Sequence, residues 1–275
     1  MNEERFTEKD SWPFDQTAQD YDLEFTNSTL GRLYRNAVWQ RLNEIFNGKR
    51  HILELGCGTG EDAQYLASKG HRVTALDASE QMIKMAKNKL ESAGLSEQVF
   101  FKVIDLEDLI KTDTPLQING NESFIQYDGL LANFGVLNCV HDLAALSRTL
   151  HSYLRPGAPA IFVIMGPLVP WEWLWYLRKG QPAKGFRRLS KNGVKWRGIT
   201  IRYPGIGSAA DSFKPFFHIK RVSALGTFLP PSYAEKWAVG HPGWISRLER
   251  LERRLAYMKL VAYFADHYIL EMENL

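Results

Sequence analysis

Three glycines at alternate positions, Gly56, Gly58 and Gly60, follow the apolar run HILEL (51–55) and open the helical pattern EDAQYLASKG (61–70). Such a turn uses backbone conformations that a Cβ disfavours, and it lets a ligand approach the backbone to contact distance. Glu54 sits inside the apolar run, and Asp77 ends the next one, HRVTALD (71–77), 17 residues after Gly60. A carboxylate at the tip of a second parallel strand can accept from both hydroxyls of a ribose. Ligands of open parallel sheets lie at the carboxyl ends of the strands, near the point where strand order reverses. Asp105 ends a third run, QVFFKVID (98–105), where it can accept from an exocyclic amine. Each acid also has a purely structural use. Asp77 can serve the helix that starts near Ser79, and Asp105 can cap the helix that LEDLI begins. A dinucleotide site would read Gly-x-Gly-x-x-Gly, with pyrophosphate at the helix N-terminus. Here the third glycine comes one residue early, and Glu61 and Asp62 occupy the first helical turn; both features point to a ligand without phosphates.

The elements that position these residues follow from periodicity. ASEQMIKMAKNKLESAG (78–94) places Met82, Met85, Ala86, Lys89 and Leu90 on one helical face, with Ser79 as N-cap. YDGLLANF (127–134) and APAIFVIM (158–165) are a fourth and a fifth strand, separated by the helix DLAALSRTLHSYL (142–154), which Pro156-Gly157 stops. Strands alternating with helices of this length imply right-handed crossovers and a parallel sheet, and runs that are apolar throughout are those of strands buried on both faces. After residue 165 the rhythm breaks. A strand TIRYP (200–204), a short helix, a strand FFHIKRVSALG (217–226), an amphipathic helix ISRLERLERRLAYMKL (245–260) and a last strand HYILEME (267–273) are expected. The fold class is therefore α/β: a doubly wound, mostly parallel sheet of seven strands with helices on both faces and insertions near the C-terminal strands.

On these residues the chain resembles the S-adenosylmethionine-dependent methyltransferases with a Rossmann-like seven-stranded fold, those acting on small molecules in particular. The resemblance covers residues 51–165 and rests on ELGCGTG (54–60), VTALDASEQMIKMAK (73–87), VIDLED (103–108), YDGLLANFGVLNCV (127–140) and LRPGAPAIFVIM (154–165). FDQTAQDYD (14–22) is similar to the N-terminal cap of that family. The resemblance implies S-adenosylmethionine as cofactor, with S-adenosylhomocysteine as product. It implies that Gly56, Gly58 and Gly60 line the methionine and ribose parts, that Asp77 holds the ribose hydroxyls and that Met82 packs beside it. It further places Asp105 at the adenine amino group, Leu106 beside the ring, Asn133, Phe134 and Gly135 along the methionyl portion, and Tyr21 as a closing residue. Glu54 and Ala78 belong to the same cofactor-binding set. One domain over 1–275 is expected, with a helical cap (1–48), a cofactor-binding core (49–165) and acceptor-side insertions at 166–198 and 227–262.

Methyl transfer from a sulfonium is an in-line displacement with a good leaving group, so the protein mainly aligns the nucleophile and excludes water. A catalytic triad is not required and none is evident. An alcohol or a protonated amine needs a base, for which His141 in LNCVHDL is the candidate; the competing reading is a solvent-facing loop histidine beside the N-cap Asp142. His218 in a strand pattern and His241 in GHPGW read as structural and turn residues. Cys57 reads as a small filler, Cys139 shows nothing that would depress its pKa, and no metal site is expected. ANFG stands where enzymes that methylate amino groups of bases or of glutamine carry an Asn/Asp-Pro-Pro-aromatic quartet, which argues against those acceptors.

Residues 166–202 hold nine Lys or Arg against the single acid Glu172, with Trp171, Trp173, Trp175, Tyr176 and Trp196 among them. This segment can be a lid over a hydrophobic acceptor, an interfacial helix giving peripheral membrane contact, a nucleic-acid surface, or a solvated excursion whose tryptophans pack on the sheet. The expected acceptor is small or lipid-like, with oxygen favoured as nucleophile and no nucleic acid as partner. A small-molecule N-methyltransferase, an RNA or protein methyltransferase and a cofactor-binding protein without transfer activity are the alternatives. The Arg and Glu residues of 247–254 read as an exposed salt-paired face. The chain has 275 residues, a net charge of +3, 45% hydrophobic residues and two cysteines, which excludes fibrous, disordered and disulfide-framework classes. The start MNEERFTEKD lacks the basic beginning and apolar middle of a signal peptide, and the 158–171 run falls short of the roughly 20 residues that cross a membrane, so a cytoplasmic protein is expected.

Overall fold

The computed structural model describes residues 12–48, 50–111 and 126–275; the MNEERFTEKD stretch and residue 49 lie outside them. Five strands run parallel: β1 (His51–Leu55), β2 (Arg72–Asp77), β3 (Val99–Val103), β4 (Gly129–Ala132) and β5 (Pro159–Met165). β6 (Val194–Trp196) and β7 (Ile199–Ile201) form a separate antiparallel ribbon. β8 (Phe217–Leu225) and β9 (His267–Asn274) return to the main sheet, β9 antiparallel to β5 and β8 antiparallel to β9. The sheet has seven strands in the order β3-β2-β1-β4-β5-β9-β8, so the expected strand count and mixed direction hold. The TIRYP run is shortened to β7 and pairs in the ribbon rather than in the sheet.

Alternation along each strand sends side chains to opposite faces. Leu53, Leu55, Leu130, Phe162 and Ile164 join Leu146 and Leu150 of α6 (Leu143–Tyr153) and Phe213 of α9 (Ile206–Phe213) on one face. Ile52, Leu131, Ile161 and Val163 join Leu30, Val38 and Leu42 of α2 (Thr29–Ile45) and Leu66 of α3 (Glu61–Ser68) on the other. Burying one such side chain contributes about 1.5–3 kcal/mol, which is why both faces must be covered. Ser79 accepts from the Met82 N–H and caps α4 (Glu80–Ser92) as its sequence position predicts. α5 (Leu106–Lys111) follows β3.

The N-terminal segment packs across the carboxyl ends of the strands. It carries the short α1 (Ala18–Tyr21) and a π turn (Asp22–Thr26) before α2. The 166–198 excursion forms α7 (Pro170–Arg178) and α8 (Pro182–Gly185). Glu172 of α7 is fully buried and ion-paired with Arg187 and Arg188, while Arg188 also pairs with Asp266 at 2.7 Å. α10 (Glu235–Gly240) presents Glu235 to the start of α2, where its carboxylate accepts from the N–H groups of Thr29 (2.6 Å) and Leu30 (3.0 Å).

The helix expected at 245–260 is α11 (Pro242–Leu255), followed by a break and α12 (Lys259–Ala262). Its salt-paired face is not as expected. Glu252 is buried and accepts from the N–H groups of Gly226 (2.8 Å) and Phe228 (2.7 Å), fixing the turn after β8. The Arg253–Glu249 pair, at 3.8 Å, is what remains of the exposed pairing. Among the described residues no helix is long and apolar enough to cross a membrane.

Candidate functional site

β1 lies between β2 and β4, so the chain changes direction of travel across the sheet at that point. A cavity of about 500 Å³ opens there, above the carboxyl ends of β1, β2 and β4. Its floor is the glycine turn. Gly56, Gly58 and Gly60 all have positive φ, at +63°, +52° and +79°. Their uses differ. A Cβ on Gly56 would lie 2.3 Å from Val136 Cγ2, and one on Gly60 would lie 2.7 Å from Ala86 Cβ. A Cβ on Gly58 would meet nothing within 4 Å, so this residue leaves open the space that the cavity occupies.

Asp77 is held by the backbone it helps to shape. Its Oδ2 accepts from the Gly58 N–H at 2.8 Å and its Oδ1 from the Ser79 N–H at 2.9 Å. Burial raises its pKa above the ordinary carboxylate range, and the N–H groups of Ser79, Gly58 and Ala78 oppose that rise. Asp105 has a structural use and a place in the cavity. It accepts from the Glu107 N–H at 2.9 Å at the head of α5, and it lines the cavity. Ala78, Met82 and Leu106 line the same cavity.

Asn133 and Phe134 end β4 in a strained turn. Phe134 adopts φ +45°, an αL conformation that costs a non-glycine residue on the order of 1 kcal/mol or more and persists only where packing enforces it. Here the ring meets Phe25 edge-on at 5.1 Å and His267 at 5.8 Å, with the Arg35 guanidinium 5.0 Å from its centroid. Asn133 donates to Asp62 at 2.8 Å, and Asp62 also accepts from Trp39 Nε1 (2.6 Å) and pairs with Arg35 (2.7 Å). Glu61 pairs with Lys89 at 2.9 Å. Both acids of the first turn of α3 are therefore neutralised, and they repel phosphate less than two free carboxylates would.

Tyr21 lines the cavity from the N-terminal segment, with its hydroxyl pKa raised by burial and partly lowered by Arg35. Of the residues predicted to hold a cofactor, Glu54 and Gly60 are not in the lining. Gly60 packs α3 on α4. Glu54 is buried beneath the turn; burial and then Asp62 push its pKa well up, and its Oε2 has no hydrogen-bond partner among the described residues.

His141 is exposed at the rim of the cavity, with its backbone N–H donating to Glu107 Oε1 at 2.5 Å. Cys139 also lines the cavity, but burial pushes its thiol up to about 11, so it is no ready thiolate. His218 is exposed on β8, and His241 stacks on Trp237 with ring centroids 4.8 Å apart; neither reaches the cavity. Among the described residues no group of three His, Cys, Asp or Glu side chains is placed to hold a metal ion.

The Trp-rich helix is not the wall of this cavity. Trp171 donates to the Phe228 carbonyl at 2.9 Å and packs near Trp237, Trp173 packs on Phe186, and Trp175 on Tyr233. The wall comes instead from residues 199–202 and from Trp12 and Phe14, and Phe14 packs on Trp196 at 4.9 Å. Sequence reasoning missed these residues and Arg35. Arg35 had a signal: it shares with Val38 and Leu42 the spacing of the buried stripe of α2, where a charge requires a partner.

Residues 53–160 match the sequence profile of a methyltransferase domain. The chain is similar to the tRNA 5-carboxymethoxyuridine methyltransferase of Escherichia coli K12, with 29% identity over 189 residues covering 64% of this chain and 67% of that one. It is similar to the demethylmenaquinone methyltransferase of Leptospira interrogans, with 27% identity over 181 residues, 63% of this chain and 68% of that one. Its fold resembles that of an S-adenosylmethionine-dependent methyltransferase from Mesorhizobium loti, with TM-score 0.53 and 19% identity over 88% of this chain and 97% of that one. Profile, relatives and fold agree in supporting an S-adenosylmethionine-dependent methyltransferase, with S-adenosylmethionine as its cofactor.

Proposed function

We propose that the cavity at the β1/β4 switch point binds S-adenosylmethionine and that its methyl passes to a small or lipid-like acceptor through an oxygen nucleophile. The observation that carries this reading is the convergence of Gly56, Gly58, Asp77, Asp105, Asn133, Phe134 and Tyr21 on one cavity, from five separate stretches of chain. The cavity suits the cofactor. Gly58 leaves room against the backbone, and Asp77 keeps acceptor capacity for a diol beyond the N–H groups that hold it. Met82, Ile104 and Leu106 offer apolar surface for a purine beside the Asp105 carboxylate. Arg35 faces the cavity as a cation suited to a carboxylate.

The cofactor supplies an electrophilic methyl on a sulfonium. The chain's own part is alignment and exclusion of water: Tyr21, Phe14 and Trp12 close one side, and residues 199–202 close another. His141, at the rim, takes the proton of a hydroxyl acceptor as attack begins.

A macromolecular acceptor has one observation in its favour. Arg178, Lys179, Lys184, Lys191, Lys195 and Arg197 are all exposed, and the chain is similar to a tRNA enzyme. The same segment exposes Leu174, Leu177, Phe186 and Leu189, which suits a lipid surface better than RNA. The test is methyl-label transfer from labelled S-adenosylmethionine into an extract of the source cells. Label in the organic-extractable or aqueous small-molecule fraction is expected. Label in RNA or protein would replace this reading with the macromolecular one.

A further inference from the structure

A second cavity, of about 710 Å³, adjoins the first. Val140, His141 and Arg202 line both, so they form the shared wall. Most of the second lining is apolar or aromatic, with Leu137, Leu143, Leu168, Ile206, Tyr203 and Tyr263. Three charged side chains besides His141 and Arg202 line it, and each is spent or exposed. Asp142 accepts from the N–H groups of Ala144 (3.0 Å) and Ala145 (2.9 Å) as the cap of α6. Arg188 is consumed by Glu172 and Asp266. Lys191 is exposed at the rim.

Arg202 is different. Its backbone is clamped: its N–H donates to the Asn138 carbonyl at 2.7 Å, and Asn138 Nδ2 donates to its carbonyl at 2.5 Å. Asn138 is fully buried and is itself tied to both the N–H and the carbonyl of Met165 at the end of β5. The side chain is half-buried, yet among the described residues its guanidinium has neither an ion pair nor a hydrogen bond. A partly desolvated cation without an anion is costly, and a fixed backbone holds it ready for one supplied from outside.

We infer that the second cavity is the acceptor subsite, that it takes the apolar body of an amphiphile, and that Arg202 holds that amphiphile's anionic group at the junction of the two cavities. This rests on the reading of the first cavity as the methyl-transfer site. The anion fixes the acceptor's register, so that its nucleophile enters the first cavity past His141. The anion is a carboxylate or a phosphate; a guanidinium serves either through paired N–H donors.

The test is calorimetric titration of the full chain with decanoate, decyl phosphate and decanol. At least one anion binds about tenfold or more tightly than decanol, and the stronger of the two names the headgroup. Arg202→Met removes that preference and leaves decanol binding as it was. Gly205 lines the second cavity with open space where a Cβ would stand, and its φ is −71°. Gly205→Trp therefore fills the cavity without backbone strain and weakens all three ligands by about tenfold or more. Thermal unfolding of the same samples reports that each variant is folded, and S-adenosylmethionine binding is read on the parent chain. Equal affinity for decanol and both anions, a preference that survives Arg202→Met, or indifference to Gly205→Trp overturns the inference. A chain that binds decanoate through Arg202 but does not bind S-adenosylmethionine overturns the reading of the first cavity instead.

Discussion

Glu54 lies one residue from the end of β1 as a carboxyl group that no donor among the described residues reaches at Oε2. Burial disfavours its charged form, Asp62 reinforces that, and Arg35 opposes it without prevailing, so the folded chain keeps Glu54 protonated well above the ordinary carboxylate range. Unfolding restores an ordinary glutamate. Between the two pKa values the folded state binds one proton more than the unfolded state. Stability from this residue is therefore complete below the unfolded pKa and is lost as pH rises toward the folded one. Glu54→Gln has no such dependence. Measured by urea unfolding of the ligand-free protein between about pH 5 and 8, the stability of Glu54→Gln relative to the parent should rise with pH. The slope should approach but not exceed about 1.4 kcal/mol per pH unit. Parallel curves would mean that Glu54 is ionised in the folded chain. Asp77 shows the contrast: three N–H groups surround it and limit what burial does.

Elements whose stabilising contacts are local were legible. β1, β2 and β5 read as apolar runs because a parallel strand is buried on both faces, and α4 was readable from its apolar face and from Ser79. The glycine turn and the two strand-end acids were legible for the same reason, since backbone geometry near the turn dictates residue type. Roles set by distant partners were not. Glu252 looked like one charge among several on α11, yet its partners are backbone N–H groups some 25 residues earlier. The ribbon of β6 and β7 looked like any short strand pair, and nothing local marks it as a cavity wall. Arg188 is a further case, 78 residues from Asp266. It joins α7, through Glu172, to the residue preceding β9, and Asp266 stays ionised: burial raises its pKa, but Arg188 and His267 outweigh that and hold it well below the carboxylate range. Arg188→Met keeps much of the volume and strands two buried acids, so it should cost about 3–5 kcal/mol in urea unfolding. A loss below about 1 kcal/mol would mean that Arg187 alone satisfies Glu172.

At the scale of the whole molecule the first cavity is enclosed by parts of the chain that meet only in the folded state. The N-terminal segment spans its mouth, and the ribbon of β6 and β7 reaches that segment through Phe14 and Trp196. The segment is fastened to the core at two polar points: Asp15 accepts from the Ser79 hydroxyl and the Gln81 N–H at the head of α4, and Asp22 is held near the glycine turn. Lys89 of α4 pairs with Asp22 at 2.7 Å and with Glu61 of α3 at 2.9 Å, while Thr59 in the glycine turn donates to the other Asp22 oxygen at 2.6 Å. Lys89 and Asp22 have side chains about one-fifth exposed, at 19% and 22%, so solvent screens the pair only in part. Burial would raise the pKa of Asp22, but its hydrogen bonds with Lys89 and Thr59 lower it, which keeps the strap charged at neutral pH. If the segment must lift for the cofactor to leave, the strap sets part of the exit barrier. Lys89→Met removes it while preserving the stem that packs along α4, and a partly exposed pair is worth about 0.2–1 kcal/mol. Dissociation of S-adenosylhomocysteine, followed by stopped-flow competition, should speed up by as much as about fivefold, with association little changed. The effect should fade at high salt, because what is lost is a screened charge pair. An unchanged off-rate would place the closure on Asp15 and the aromatic contacts of Phe14 and Phe25 rather than on Lys89, and the salt dependence of the parent protein would then be flat as well.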